Sequence, residues 1–444
     1  MARTKQTYPR KAIFHSWERL KANNRFTWIA GYLGLLLFVS VCANILANRA
    51  PLTCVYQGER LFPIFSPNER REFYDPVDTS MRQMFFRDVD WHVQEFDAVV
   101  WAPIPHGAEF IEGAEALPPG ARRQYRAADG RMVKVDRRFR HLLGTSAYNV
   151  DMLAGLIYGT RISLLVGVLA AGLAGLIGLL IGASAAYWGN HRLSLKRGTL
   201  LVGGIGLFCG WFYGFHLRRF VLADAAAISW WRFIPSLTLS CLIFLACMWI
   251  FYLLGNRLSR TGWWAHRMPI PIDAIISRLI EWIQSVPVLL LVVAIAAIFK
   301  DRSIWLVMTI IGLTAWPGIA ILVRGQMMSI LPRNYIEAAR ALGLRNGHIL
   351  FRHALPNALP SIFVIFSAVV GSAIMAESSL SFLRLVEKAP SWGGLISDAH
   401  TIEHLKHWWI GVFPGLMIFL TVLSFNMLAE LWRDASDPKF QEAA

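Results

Sequence analysis

Nowhere in these 444 residues is there a GxxxxGK run followed by Ser or Thr, so the chain lacks the usual phosphate loop for holding a nucleoside triphosphate. No Ser-His-Asp arrangement and no nucleophile elbow can be picked out, which leaves hydrolytic chemistry without recognisable machinery. Cysteine is scarce. Of the five, Cys42, Cys209, Cys241 and Cys247 fall in apolar segments and Cys54 stands alone in a long polar stretch, so neither a disulfide framework nor a zinc spacing emerges. Charged residues are only 16% of the chain, and acids are the scarcer sign, with Asp plus Glu 29 against Lys plus Arg 44. Ahead of the first apolar run, Glu18 is the single acid among Arg3, Lys5, Arg10, Lys11, Arg19, Lys21 and Arg25. That bias places the N-terminus in the cytoplasm.

What fills the chain instead is apolar surface. A hydrophobic content of 55% and a mean hydropathy of +0.43 exceed what a soluble domain of this length needs to bury, and mark a polytopic membrane protein in contact with lipid. Nucleic-acid binding is therefore an unneeded explanation of the +15 charge, and no nucleic-acid partner is expected. The first apolar segment ends without a small-residue cleavage site and reads as a retained anchor. Runs long enough to cross the hydrocarbon layer are expected near 27–47, 161–187, 199–217, 234–255, 283–300, 304–323, 360–383 and 408–431. Eight crossings return the C-terminus and the loop at 324–359 to the cytoplasm. That loop carries Arg324, Arg333, Arg340, Arg345 and Arg352 against Glu337, as the positive-inside rule requires.

Two stretches interrupt the spans. Residues 48–150 balance acids and bases, hold many aromatics, and carry strand-like runs at 55–65 and 99–104, so they read as a small domain outside the membrane. Residues 191–272 read as an inserted pair of spans, because removing them would join Tyr187, Trp188 and Gly189 directly to Asp273 and Ala274. Gly206, Gly210 and Gly214 recur every four residues, as do Gly178 and Gly182, a spacing that lets helices approach closely in lipid. The Gly206 stripe is expected to fix the inserted pair against the rest of the helices.

The most informative stretch is EAARALGLRNGHILFRHALP, residues 337–356. Ile336 to Leu342 is rich in Ala, Leu and Arg and favours a short helix. Gly343 can take the left-handed conformation that ends it. Ala338, Ala339 and Ala341 let another surface come close, while Glu337 and Arg340 offer charges to pair across the contact. This is a docking element, not a catalytic site.

Glu337, Ala338, Ala339 and Gly343, followed by Leu355 and Pro356, resemble the EAA signature of permease subunits of ATP-binding-cassette importers, and RHALPN at 352–357 resembles its oligopeptide and dipeptide version. SVPVLLL at 285–291, WPGIAILVRGQ at 316–326, AESSLSFL at 376–383, PSWGGLI at 390–396 and RDASDPK at 433–439 follow the same family in order. The resemblance implies an all-α polytopic fold: a six-helix type I importer core, plus the inserted two-helix hairpin and an extended periplasmic loop domain. The implied layout is a cytoplasmic N-terminus at 1–26, a first transmembrane helix at 27–47, the loop domain at 48–150, a second core helix at 151–190, the hairpin at 191–272, the remaining core at 273–432 and a cytoplasmic tail at 433–444. It also implies a peptide-importing permease of the bacterial inner membrane. Its partners would be a second homologous permease, two ATPase subunits that hydrolyse ATP, and a periplasmic solute-binding protein. A nickel or other small-ligand importer shares the same core. No cofactor is expected on this chain itself.

Four further residues stand out. Glu377 is an ionisable group in an apolar run, and Pro287 and Pro317 are expected to interrupt helices and provide bends. At the entry to the second core helix the family pattern carries two acids; here Ser146 replaces the first and Asp151 remains, so all four are taken as gating or structural candidates with Asp151 included. His400, Glu403 and His404 match the HxxEH pattern of inverted zinc peptidases, with His407 one turn on. On a helix the three imidazoles would share a face, a weak metal candidate against the plainer reading of a polar interfacial helix, and the basis of an alternative reading as a membrane metallopeptidase.

Overall fold

The structure is a computed structural model that describes residues 18, 20–21, 23–66, 68–75, 80–92, 94, 96–108, 116–126, 132–190, 192–228, 230–260, 262–298, 303–386, 390–400 and 407–436. The chain forms two compact units, Met1–Ala183 with Trp282–Ala444, and Ser184–Glu281. Among the described residues seven helices are long and apolar enough to cross a membrane, and the protein is a helical, multi-pass membrane protein.

In the first unit, α1 (Asn24–Leu46) leads into a β-rich domain. There β1 (Thr53–Tyr56) and β2 (Glu59–Leu61) form a hairpin closed by Gln57 and Gly58, both at positive φ as a tight two-residue turn demands. Two further hairpin strands, β3 (Arg70–Asp75) and β4 (Ser80–Phe85), pair with each other, and β5 (Ala98–Val100) adds to β1 on the side away from β2. The two strand-like runs read in the sequence thus lie side by side in one sheet. A last hairpin joins β6 (Gln124–Arg126) to β7 (Met132–Lys134). Phe73, Phe86, Trp91 and Cys54 fill the domain core, with Phe73 and Phe86 both edge-on to Trp91. Burial pushes the Cys54 thiol up to about 11, so it remains an unreactive core group.

After the β-rich domain the spans of this unit resume with α2 (Met152–Trp188). The second unit follows: β8 (Ser194–Lys196), α3 (Arg197–Trp211) running into a π-turn at Phe212–His216, α4 (Arg219–Ile228), α5 (Trp230–Leu258) and β9 (Arg267–Pro269). Its ends meet. Asp273 N donates to Gly189 O at 3.3 Å, Ala274 N donates to Asn190 Oδ1 at 3.1 Å, and β8 pairs with β9. The expectation for the Gly206 stripe is corrected here: it faces its own neighbour, not the core. A Cβ at Gly206 would collide with Phe251, and one at Gly214 would lie 2.8 Å from Ser240 O, both on α5. Small residues at the crossing let the two apolar helices of this unit pack on each other.

Next comes α6 (Ile272–Gln284) and then α7 (Val288–Ile298). The expected span at 283–300 is therefore not one long helix, because Pro287 cannot donate within a helix and clashes with the preceding turn. Pro317 behaves otherwise. It sits buried inside α8 (Ile304–Ile330), which runs through it unbroken, so the expected interruption there does not occur. A short helix α9 (Asn334–Ala341) follows, then α10 (Leu355–Phe382), α11 (Trp392–Ser397) and α12 (Trp409–Ser436). Val166 and Ala170 of α2, Val292 of α7, Met308 and Ile311 of α8, and Ala373 and Leu380 of α10 make one buried cluster. α2 meets α8 through Gly178 and Gly182, where added Cβ atoms would strike Ile319 and the Ala320 carbonyl. Arg161 of α2 donates from Nε to Ser40 O at 2.9 Å and from Nη2 to Val41 O at 3.4 Å, tying α2 to the C-terminal half of α1.

In the β-rich domain Asp90 is buried between Arg49 (Nη2 to Oδ1, 3.2 Å) and Arg123 (Nη2 to Oδ2, 2.9 Å). Burial opposes its ionisation, yet the charges of Arg49, Arg123 and His92 outweigh it and hold the carboxyl below its ordinary 3.8. A lowered folded value stabilises the fold above pH 3.8, and that stabilisation is lost as pH falls through the folded value. Tryptophan emission of the full chain in detergent should show the domain loosening on acidification below that point. Asp90→Asn, which leaves two guanidinium groups buried without their counter-charge, should cost about 3–5 kcal/mol at neutral pH and remove this acid step.

Candidate functional site

The short helix α9 buries Ile336 and Ala339 and leaves Glu337 and Ala338 exposed. Its end is a Schellman motif: Gly343 N donates to Arg340 O at 2.9 Å and Leu344 N donates to Ala339 O at 3.3 Å. Gly343 takes φ +74°, and open space surrounds the position a Cβ would occupy. The turn therefore needs glycine for its backbone and not for room. Beyond it the chain presents Leu342, 81% exposed, with Leu344 and Phe351 also exposed. Sequence reading missed these three, because an apolar residue in a basic loop carries no signal until its side is known.

A latch ties this turn to the long helix behind it. Asn357 Nδ2 donates to Tyr335 OH at 3.0 Å and to His353 O at 2.7 Å. Burial raises the Tyr335 hydroxyl above its usual value, outweighing the opposing effects of Arg333 and Asn357, so it stays neutral. Ile349–Ala354 winds as a π-turn immediately ahead of Leu355 and Pro356. Pro356 has no N–H and its ring would crowd the Arg352 carbonyl in an ordinary turn, which the wider winding relieves. Leu355 and Pro356 thus set the junction at which α10 starts.

At the other end of α10 lies Glu377, fully buried. Ser381 Oγ donates to its Oε1 at 2.7 Å, and Ser163 Oγ and Ser378 Oγ lie 3.5 Å from Oε2. Ser391 Oγ hydrogen-bonds the same carboxyl group and accepts from Gly394 N at the start of α11. Trp392 N donates to Ser163 Oγ at 3.3 Å, and its indole Nε1 donates to Leu156 O at 3.1 Å. AESSLSFL, PSWGGLI and α2 therefore converge on one carboxylate. Ser163 gave no sequence signal, since a hydroxyl in an apolar run ordinarily bonds its own helix.

Asp151 begins α2. Its Oδ1 accepts from Ala154 N at 2.8 Å, and its Oδ2 lies 2.9 Å from His141 Nδ1 with both side chains buried. Ser146, in the place where the resembling family has an acid, accepts from Tyr148 N and Val150 N and closes a turn with Asn149 at φ +58°. A hydroxyl performs locally the turn-closing that a carboxylate can also perform. The histidine trio is not assembled among the described residues. His400 ends a 3-10 turn at Asp398–His400, His404 lies outside the described residues, and His407 packs by its ring on Trp409, 4.9 Å between centroids.

The described residues thus form a multi-pass helical membrane protein with an exposed apolar turn between two of its spans. Residues 259–442 match the family described as binding-protein-dependent transport system inner membrane component. Over 172 residues the chain is 38% identical to the glutathione transport system permease protein GsiD of Pectobacterium atrosepticum, which covers 38% of this chain and 56% of that protein. Over 191 residues it is 32% identical to a putative peptide permease protein of Brucella ovis, covering 42% of this chain and 61% of that protein. Identity to the glutathione transport system permease protein GsiD of Escherichia coli O6:H1 is 36% over 183 residues, 40% of this chain and 57% of the relative. The chain thus spans a little over half the length of the curated relatives it matches.

Replacing Gly343 by Val forces a β-branched residue to φ +74° and should cost about 1–2 kcal/mol at the turn. Hydrogen exchange should show it directly: the amides of Leu342, Gly343 and Leu344 lose protection while those of α10 keep theirs.

Proposed function

We propose that this chain is the permease subunit of a binding-protein-dependent ATP-binding-cassette importer, forming half of a transmembrane pathway for peptides and coupling to a separate ATPase. The observation that carries the reading is the turn after α9: an exposed apolar tip, Leu342, on a rigid Schellman cap between two membrane helices. One guanidinium nitrogen of Arg340 in the same turn, Nη2, is buried without a hydrogen-bond partner. Such a surface fits a groove on a partner subunit. Glutathione and peptide in the printed names of the relatives support small peptides as the cargo class.

Partners follow from that reading: a second, homologous permease to complete the pathway, two ATPase subunits at the α9 turn, and a solute-binding protein on the opposite face. With the broken pair α6 and α7 counted as one crossing beside the seven long helices, and the basic N-terminal segment held in the cytoplasm, both termini and the α9 turn would lie on the cytoplasmic side. The β-rich domain then faces the periplasm. Closure of the ATPase dimer would move the turn, and Ile336, Ala339 and the Tyr335–Asn357 latch would pass that motion to α10. From Leu355 to Glu377 α10 is a continuous helix of about 33 Å at 1.5 Å per residue, stiff enough to carry the displacement to the serine-lined carboxylate. Asp151 and Pro287 would serve as the capped start of α2 and the break between α6 and α7, with Pro317 in a structural role.

The test is reconstitution of the chain with its co-purifying subunits in nanodiscs. Leu342→Asp and Glu337→Lys should weaken ATPase docking by about 2 kcal/mol or more, roughly thirtyfold in affinity, and uncouple ATP hydrolysis from peptide uptake. Correctly inserted variants that still couple hydrolysis to uptake would sink the proposal, as would a native chain that captures no ATPase.

A further inference from the structure

Outside the family-matched region, where the β-rich domain joins α2, His106, His141 and Asp151 bring one ligand atom each to within 4.8 Å of one another. All three are buried, at 2%, 0% and 1% exposure. They come from separate points of the chain: His106 follows the bridge between Ala47 and Ile104, His141 precedes the turn closed by Ser146, and Asp151 caps the first turn of α2. The rings of His106 and His141 are 4.4 Å apart between centroids and inclined by 34°. His141 Nδ1 and Asp151 Oδ2 already stand 2.9 Å apart.

We propose that this cluster is a Zn²⁺ site with one nitrogen from each histidine, one carboxylate oxygen from Asp151, and water in the fourth position. Two imidazoles and a carboxylate select a borderline transition ion over Ca²⁺ or Mg²⁺, which take oxygen shells. In a tetrahedral shell with bonds of about 2.0–2.2 Å, ligand atoms sit about 3.4 Å apart. An ion between His141 and Asp151 replaces the proton they share and opens their 2.9 Å contact by about half an ångström, while a nitrogen of His106, already within 4.8 Å, closes to bonding distance. The supporting bonds hold the ligands for this. Asp151 Oδ1 is fixed by Ala154 N at 2.8 Å, Met152 N is tied to Gly144 O at 3.0 Å, and His92 Nε2 lies 2.6 Å from the carbonyl of Pro105, the residue before His106. The ion ties the β-rich domain to the start of a membrane helix, a structural cross-link independent of which cargo is carried.

The measurement is elemental analysis of the full chain in nanodiscs, loaded with Zn²⁺ and washed with a weak chelator. The expected result is about one zinc per chain, retained in a His400→Ala/His407→Ala double variant and weakened at least about tenfold in His106→Gln and His141→Gln. His106→Gln leaves the His141–Asp151 contact intact, so it reports ligand loss without removing the cap of α2. Cobalt loaded into the unmodified protein should give the intense visible bands of tetrahedral Co²⁺, and zinc should raise the unfolding temperature of the native chain but not of His106→Gln. No zinc retained by the native chain, weak octahedral cobalt bands, or undiminished zinc in His106→Gln would each overturn the assignment.

Discussion

A backbone amide in hydrocarbon has no partner but its own chain, and the transmembrane part of this protein is arranged around that constraint. The long helices meet it residue by residue. Where the ladder is broken, a specific group steps in. Beside the Pro287 break Ser285 Oγ donates to Trp282 O. Ahead of Pro356 the π-turn removes the clash that a missing N–H alone would not explain.

Side-chain hydroxyls obey the same constraint, and around Glu377 they meet it differently from most. Thr160, Thr314, Ser367 and Ser379 each donate to the carbonyl four residues earlier and so need nothing from a neighbouring helix. Ser381 donates instead to Glu377, and Ser163 reaches it from another helix 214 positions away in sequence. A buried carboxylate without such donors is costly, so Glu377 obliges α2, α10 and the turn before α11 to hold one arrangement. Gly393, whose Cβ would fall 2.5 Å from Ser378 Cα, permits the approach. The carboxylate and the close packing around it are one device.

α10 has unlike ends. One carries an apolar tip held on a capped turn and latched through Tyr335 and Asn357; the other carries a carboxylate enclosed by hydroxyls. Exposed apolar surface at a loop is unfavourable in water unless something covers it, whereas a satisfied buried carboxylate is stable where it is. The helix thus joins a surface that calls for a partner to an interior that resists rearrangement. The second unit has no such polarity: α3 and α5 zip together along glycines, and their outward residues, Trp231 and Trp249 among them, are exposed as lipid-facing side chains are.

By itself the amino-acid sequence determined the membrane class, seven of the spans to within a few residues at most ends, the short helix before Gly343 and the left-handed turn at that glycine. Each of these is local: run length, helix propensity and the conformational freedom of glycine act within a few neighbours. The domain signature at 259–442 was legible for the same reason, since its motifs are contiguous. Only the tertiary structure decided that Pro287 breaks a helix while Pro317 does not, that the Gly206 stripe faces α5, that Leu342 is exposed, and that Ser163 and Ser391 serve Glu377. It alone brought His106 and His141 to Asp151 while the HxxEH string, with His404 outside the described residues, assembled no metal face among them. The reason is physical: which side of a helix is covered, and which polar groups meet across it, depends on partners far along the chain, and composition at one position carries no record of what stands opposite.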